Sequence, residues 1–328
     1  MGRASFCLLL ALVGVGLASA QGQRPIQWIG NVQQGINRAR AAGLPVLFYV
    51  SGSRRGDDSD LEDAQQRTFS HPLVRGLVQA RFLPVRLARS TETTKLLQRI
   101  FASRAGDARA GGGGPTAAPR FGRFLLCATP ELELIGVILP GQATDAQAFA
   151  RQLTGMFRKY RAGVLERQLK PLLESEEARP RELLGALRTI QRLLILEADQ
   201  SVARLLERDR LNTTVRKEAY DTLAVLSTRA SAKALLEAAA HDKRAAQALR
   251  RCTPGVVEEL LAALDLSKPD RFMLAYQAVA EICKIRRTRP LGFWTGKNPE
   301  LISRELEQFE REARRVAKRW KDRYEAYR

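Results

Sequence analysis

Few side chains in this sequence are of the types that carry covalent or metal chemistry. Its 328 residues include 4 Cys and 2 His, too few for a zinc ribbon, an HExxH protease or a dense disulfide scaffold. No Walker A sequence and no GxGxxG after a strand pattern occurs, so the common nucleotide sites have no support. The sequence therefore predicts neither a metal nor a cofactor.

The two histidines are the first residues to consider for acid–base chemistry. His71 precedes Pro72 at a break between helical patterns, and His241 precedes Asp242 in a turn between helical patterns. Neither has a nucleophile motif such as G-x-S-x-G nearby, so a Ser-His-Asp or Cys-His site is not indicated. We expect a non-catalytic protein, although a glycosidase-type carboxylate pair is left open by the sequence.

An acidic cluster follows the first strand pattern and could offer several oxygen ligands to Ca²⁺. The EF-hand spacing and its closing glutamate are absent. Capping of a helix by Asp58 or Ser59, with further acids in its first turn, explains the cluster better. Its members are Asp57, Asp58, Asp60, Glu62 and Asp63.

Three of the four cysteines lie beyond the first 20 residues. Cys127 falls in an apolar run of strand type, and Cys252 and Cys283 fall near the ends of amphipathic helical patterns. We expect all three to be small buried hydrophobic residues, with a Cys252–Cys283 bridge as the alternative.

Residues 1–20 have the three parts of a secretory signal peptide. Arg3 supplies a positive charge, Phe6–Leu17 is an apolar run, and Ala18-Ser19-Ala20 fits the small-x-small cleavage rule. The apolar run is shorter than the roughly 20 residues of a spanning helix. We expect a periplasmic or secreted protein that begins at Gln21 and has no transmembrane segment.

Positive charge is concentrated at the two ends of the chain. Lys and Arg exceed Asp and Glu by 9 in residues 21–160, by 2 in residues 161–283 and by 7 in residues 284–328. This distribution is compatible with contact to a polyanion or an acidic partner. A compositional origin explains it slightly better, because Arg outnumbers Lys by 43 to 11, as in GC-rich genomes.

Residues 25–160 alternate between helical and strand patterns. The Gly-rich segment Ser103–Ala118 predicts a flexible loop among them. The predicted strands are Val46–Val50, Phe82–Leu87, Phe124–Thr129 and Leu134–Leu139. The predicted helices are Asn31–Ala42, Leu61–Phe69, Leu73–Val78, Thr93–Phe101 and Thr144–Lys159.

Three features resemble a known fold. They are the order of these helices and strands, the strand Pro45–Val50 and the segment Thr68–Val74. The segment is similar to the helix break "F-S-x-P-x-V" of extracytoplasmic thioredoxin-like domains, and residues 21–160 resemble the thioredoxin-like fold. That family has a Cys-x-x-Cys pair after the first strand. Here Ser51–Asp60 contains no Cys. The family's cis-proline also lacks a matching position, because Pro119 lies a few residues early, so the resemblance implies a redox-inactive scaffold.

Residues 161–285 indicate a series of short amphipathic helices. Val215–Leu223 is similar to the second-helix signature of HEAT-like repeats, and Arg271–Val279 and Asp242–Leu249 resemble it more weakly. The resemblance implies a degenerate HEAT-like repeat domain that binds proteins; a compact irregular helical domain and a packing platform are the alternatives. The predicted helices are Leu165–Leu173, Leu183–Leu196, Val202–Leu206, Val215–Leu226, Ala232–Ala239, Ala245–Arg251, Val256–Leu264 and Phe272–Ile285.

Residues 286–328 form a basic C-terminal segment with a long helix from Pro299 to about Tyr327. Its apolar residues recur at helical spacing and predict a stripe that caps the helical domain. A coiled-coil homodimer and docking on an anionic surface or an acidic partner are the alternatives. The stripe comprises Ile302, Leu306, Phe309, Ala313, Val316, Trp320, Tyr324 and Tyr327, and the candidate partner-binding residues are Arg314, Arg315, Lys318, Arg319 and Trp320.

Two functional hypotheses follow from these patterns. The first is an exported, non-catalytic interaction or scaffold protein that binds a protein partner, with an acidic partner favoured by the charge and no nucleic acid expected. The second is a thiol-dependent redox or chaperone protein that uses Cys127 alone. The second requires a solvent-reachable thiol of low pKa, whereas the first does not.

Overall fold

The computed structural model of the protein describes residues 25–50, 66–88, 90–108 and 124–324. The chain divides into two compact units, Met1–Arg161 and Ala162–Arg328. The predicted signal peptide, the acidic cluster after the first strand, the segment Gly111–Pro115 and Pro119 lie outside the described residues. Across the described ranges, every helix is either too short or too polar to cross a membrane.

The first unit contains four strands and several helices. The strands are β1 (Val46–Val50), β2 (Leu83–Leu87), β3 (Phe124–Ala128) and β4 (Leu134–Ile138). The helices are α1 (Val32–Ala42), α2 (Pro72–Arg81), α3 (Thr91–Ala108) and α4 (Ala146–Val164), with a 3₁₀ turn at Pro140–Ala143. Residues 66–70 are also helical.

The four strands form one mixed sheet in the order β2-β1-β3-β4. β1 is parallel to β2 and antiparallel to β3, and β3 is antiparallel to β4. Every residue of the two central strands is buried, which explains why both are continuous apolar runs rather than alternating patterns. The structure thus confirms an α/β unit ahead of a helical one.

Local side chains set where the helices of this unit begin and end. The Asn31 side chain caps α1 by accepting from the Gln34 N–H at 2.9 Å, and Gly43 ends α1 in the left-handed conformation with φ 60°. His71 caps α2 through its Nδ1, which accepts from the Leu73 N–H at 3.3 Å. His71 thus has a structural role that its position before Pro72 did not reveal.

The predicted loop Ser103–Ala118 begins too early. α3 continues through Ser103 to Ala108, and the Ser103 hydroxyl donates to the Ile100 carbonyl at 2.7 Å within the helix. The same oxygen accepts from the Leu134 N–H at the start of β4 at 3.3 Å. These two bonds tie the helix to the sheet, so a serine that resembles a loop residue lies inside the helix.

The second unit is helical. Its helices from Lys170 to Leu249 are α5 (Lys170–Glu174), α6 (Pro180–Leu193), α7 (Asp199–Leu206), α8 (Thr213–Leu226), α9 (Arg229–Ala239) and α10 (Lys243–Leu249). They are followed by α11 (Val257–Leu261), α12 (Pro269–Cys283), α13 (Leu291–Trp294) and α14 (Pro299–Tyr324). Short 3₁₀ turns occur at Leu196–Ala198 and Pro254–Val256.

The helices α5 to α12 lie in two layers. α6, α8, α10 and α12 pack side by side in one layer, and α5, α7, α9 and α11 pack side by side in the other. Packing between the layers joins α5 to α6, α7 to α8, α8 to α9, α9 to α10 and α11 to α12, so the chain alternates between the layers. α14 packs across α11, α12 and the turn before α11.

The observed helices of this unit differ from the predicted ones at their ends, and one also differs in geometry. The predicted helix Leu165–Leu173 is a π-helical turn, Leu165–Leu169, that continues into α5, where Pro171 has no N–H for an α-helical bond. α6 ends at Leu193 because Leu194 is left-handed (φ 50°) and the Ile195 N–H donates to the Ile190 carbonyl at 3.1 Å. α11 ends at Leu261, three residues before the predicted end.

Candidate partner-binding surface

The first half of α14 is fixed to the helical unit by an aromatic cluster. Phe309 lies 4.4 Å from Tyr276 of α12, and Tyr276 lies 5.0 Å from Trp294 of α13, measured between ring centroids. Ile302 and Ala313, on the same side of α14 as Phe309, are also buried. The predicted apolar stripe is therefore used within the chain from Ile302 to Ala313.

A bidentate ion pair supports the same contact. The Arg289 guanidinium donates to both carboxylate oxygens of Glu305, each at 3.0 Å, and Arg287 adds a contact to Glu305 at 3.4 Å. The hydrogen bonds from Arg289 hold the pKa of Glu305 below its usual value. The Arg289 N–H also donates to the Tyr276 hydroxyl at 2.8 Å. Arg289 thereby links the aromatic cluster to α14.

The structure divides the five candidate residues of α14 into three kinds. Arg314 pairs with Glu310 at 3.0 Å and with Glu258 of α11 at 3.3 Å. Arg315, Lys318 and Arg319 are exposed. Trp320 is half-buried rather than buried, which corrects the expectation for the end of the stripe. Among the described side chains of α14, the last buried one is Ala313, so Trp320 lies two steps of the stripe beyond the tightly packed contact.

The exposed cations of α14 form a surface that we call the basic ridge. It consists of Arg311, Arg315, Lys318 and Arg319, which lie on one side of the helix at spacings of three and four residues. Within the described part of the chain, none of the four is in an ion pair.

Stabilisation of α14 itself does not explain these four charges. Between Arg314 and Arg323 there are six Lys and Arg and a single Asp. Cations near a helix C-terminus interact favourably with the helix dipole, but only within the last turn, here Lys321 and Arg323. Ion pairing explains Arg314. The basic ridge remains as cationic surface that is available to a partner.

The three described cysteines are free thiols in buried positions. Cys127 lies in the central strand β3, opposite Leu47 on one side and Gly136 on the other, with 0% exposure. Burial raises the pKa of the Cys127 thiol well above its usual range. Burial and the charge of Glu312 raise the pKa of Cys283 to about 12. Neither thiol has the exposure or the low pKa that nucleophilic chemistry requires.

His241 and the described acidic side chains are the remaining groups that could form a chemical site. His241 is exposed in the turn before α10. The described residues contain no group of three or more His, Cys, Asp or Glu side chains arranged to hold a metal ion.

Sequence reasoning missed the residues that fix α14. No sequence pattern described above assigns Arg289, Glu305 or Trp294 to the packing of α14. The available signal was the combination of an Arg-rich break, an aromatic pair at Phe293-Trp294 and a glutamate in the second turn of the following helix.

Comparisons with known proteins provide no further evidence about this surface. No family model matches the sequence, and it matches neither a curated protein nor a solved structure. The thioredoxin-like and HEAT-like resemblances therefore rest on the sequence segments described above.

Proposed function

We propose that the protein is an exported, non-catalytic interaction protein that binds an acidic protein partner through the basic ridge of α14. In this proposal a thioredoxin-like domain without redox cysteines precedes a degenerate HEAT-like helical domain. The signal-peptide pattern of residues 1–20 supports the exported location.

The topology of the first unit supports the thioredoxin-like part of the proposal. The order of helices and strands and the mixed sheet β2-β1-β3-β4 are compatible with the resemblance. In this sheet β3 runs antiparallel to both of its neighbours. The fold would act as a scaffold, because the stretch after β1 has no cysteine and Cys127 is buried.

The packing of the second unit supports the HEAT-like part. Helices that alternate between two layers bury a continuous apolar core between neighbouring pairs, as repeat arrays do. Such arrays work mainly through their surfaces. The residues of the three signature-like segments lie on α8, α10 and α12, which are neighbours in one layer.

The state of α14 is the observation that carries the proposal. An amphipathic helix with an unpartnered stripe would suggest a dimer or a membrane surface, but from Ile302 to Ala313 this stripe is already packed in the same chain. What the helix offers to a second molecule is its exposed cationic side. Charge complementarity of this kind accelerates association and favours acidic partners.

Thiol chemistry at Cys127 is the weaker hypothesis. Attack on a disulfide needs a thiolate that the other sulfur can reach. Complete burial and the raised pKa of Cys127 oppose both requirements.

Affinity capture with a charge-reversed ridge tests the proposal. The full chain is used to capture proteins from the extracytoplasmic extract of its source, beside the variant Arg315→Glu, Lys318→Glu, Arg319→Glu. We expect the wild-type chain to capture an acidic protein that the variant does not capture. Added salt should weaken this capture, since salt screens exposed charges. Glutamate is a good helix former, so α14 should persist in the variant.

A control variant on α9 separates ridge binding from the effect of charge reversal elsewhere on the helical unit. Arg229 and Lys233 are exposed on α9, four residues apart, and neither is in an ion pair among the described residues. The variant Arg229→Glu, Lys233→Glu should retain the captured protein. Equal loss in both variants, or equal capture by all three proteins, contradicts the proposal.

A further inference from the structure

A groove separates α8 from α10 in the second unit, away from the basic ridge. It has a volume of about 440 Å³ and opens to solvent. It is lined from α8 by Thr213, Thr214, Lys217, Tyr220 and Asp221, and from the α10 side by Arg244, Gln247 and Arg251. The volume suits one or two side chains together with the backbone that carries them.

Two cations flank this groove. Lys217 belongs to α8 and Arg244 to α10, and both are exposed. Neither forms an ion pair with any residue that the structure describes. The third cation, Arg251, is paired with Asp221 across the two helices. The groove therefore combines one internally neutralised pair with two positive charges that are unpaired among the described residues.

The helices that form the groove are held at a fixed separation. The Asp221–Arg251 pair joins the α8 wall to the α10 wall. On the far side of α10, Arg250 donates to Gln277 of α12 at 2.6 Å. A preformed groove binds with a smaller ordering cost than one that must assemble around its ligand.

We infer that the groove between α8 and α10 binds an acidic peptide segment, with Lys217 and Arg244 contacting its carboxylates. This surface is distinct from the basic ridge, so the inference goes beyond the proposed function. The lining contains acceptors as well as donors: the Asp221 carboxylate, the Gln247 amide and the two threonine hydroxyls. A peptide presents N–H donors, carbonyl acceptors and carboxylates together. Inorganic phosphate supplies mainly acceptors and leaves the acceptors of the groove unmatched.

A binding titration tests this assignment. The probes are a capped, labelled peptide of alternating glutamate and serine, the same peptide with glutamine for glutamate, and inorganic phosphate. We expect the glutamate peptide to bind the full chain, to weaken as salt rises, and to bind the Lys217→Glu, Arg244→Glu variant at least about tenfold more weakly. The control variant Arg229→Glu, Lys233→Glu carries the same charge change on α9 and should bind as the wild type does.

The location of binding is read from backbone amide resonances. Peptide-induced shifts at Thr213, Thr214 and Gln247 support the groove, whereas shifts confined to α14 overturn it. If the glutamine peptide binds as tightly as the glutamate peptide, the carboxylates are not recognised and the inference is wrong. If phosphate binds as tightly and shifts the same amides, the groove is a simple anion site and not a peptide site. Because the α14 variant Arg315→Glu, Lys318→Glu, Arg319→Glu should still bind the peptide, failure of the groove and failure of the basic ridge are distinguishable.

Discussion

At the scale of single residues, Cys127 separates the two functional hypotheses most clearly. Its side chain packs in the central strand of a sheet that is covered on both faces, so the thiol contacts apolar atoms rather than water. A thiolate there would be charged and desolvated, which is why its pKa is raised. The strand pattern around Cys127 predicted the burial, and burial determines the chemistry.

Alkylation measures this directly. In the native protein, iodoacetamide should leave Cys127 unmodified between pH 7 and pH 9, because only an accessible thiolate reacts. In denaturant the same residue should react readily, as should Cys252 and Cys283. Mass spectrometry of digested samples gives the extent at each position. Rapid native modification of Cys127 would restore the thiol hypothesis.

Glu305 offers a residue-scale test of how α14 is fixed. Its pKa is lowered in the folded protein from an ordinary value of 4.5, chiefly by the hydrogen bonds from Arg289. A carboxyl with a depressed pKa stabilises the fold above its unfolded pKa, and this contribution is lost as the pH falls through the folded pKa. The variant Glu305→Gln should be less stable than wild type at pH 7, and the difference should narrow in acid.

Urea unfolding midpoints at pH 7 and below pH 4 provide the measurement for Glu305. The matched control is Glu307→Gln, which changes an exposed glutamate of α14 that is in no ion pair among the described residues. The control should change stability little at either pH. A constant difference between Glu305→Gln and wild type at all pH values would mean that the ion pair with Arg289 is not the cause.

At the scale of elements, α14 contains a firmly packed half and a looser half. Phe309 is 5% exposed and lies against Tyr276, whereas Trp320 is half-buried. We expect Phe309→Ala to cost about 3–5 kcal/mol of stability, the usual penalty for removing a buried aromatic side chain. Trp320→Ala should cost clearly less, because part of its surface already contacts water.

Denaturant unfolding at several protein concentrations distinguishes this arrangement from a dimer seam. If α14 packs in the same chain, both variants should give midpoints that do not change with concentration. A midpoint for the wild-type protein that rises with concentration would show that the stripe joins two copies. If Trp320→Ala lost more stability than Phe309→Ala, the main contact would lie in the C-terminal half of α14, contrary to the arrangement described here.

The elements with continuous patterns were predictable, and their ends were less so. Val46–Val50 was predicted with the ends that the structure gives, because an apolar run bounded by Pro45 and a polar stretch has one interpretation. The extension of α3 through Ser103 was missed because it depends on a hydrogen bond to β4, a tertiary contact. The sequence also does not show that Arg314 is paired and Arg315 is exposed, because the ion pair of Arg314 with Glu258 joins residues that are distant in sequence.

At the scale of the whole molecule, the division after Arg161 predicts that the first unit folds alone. A fragment of the first unit should contain all of α4, which continues to Val164. The Tyr160 hydroxyl donates to the Gly43 carbonyl at 3.0 Å, and a fragment that stops at Lys159 loses this bond and a nearly buried ring. Residues 21–164 should unfold cooperatively, and residues 21–159 should unfold at a lower denaturant concentration.

The variant Tyr160→Phe in the longer fragment removes the hydrogen bond to Gly43 but keeps the ring, so it measures the contribution of the hydrogen bond alone. It should cost roughly 0.5–1.5 kcal/mol, the net value of a single neutral hydrogen bond. Circular dichroism during urea titration compares the three fragments. If residues 21–164 aggregate or unfold without a transition, the first unit requires the helical unit for its stability, and the description as an independent domain is wrong.

Site-specific photocrosslinking tests whether the exposed side of α14 contacts an acidic partner. A photoreactive amino acid replaces Lys318 in one protein and Lys233 of α9 in another, and both are irradiated in the extracytoplasmic extract. We expect an adduct with an acidic protein at position 318 that disappears in high salt, and no such adduct at position 233. The absence of an adduct at position 318, or the same adducts at both positions, would contradict this contact.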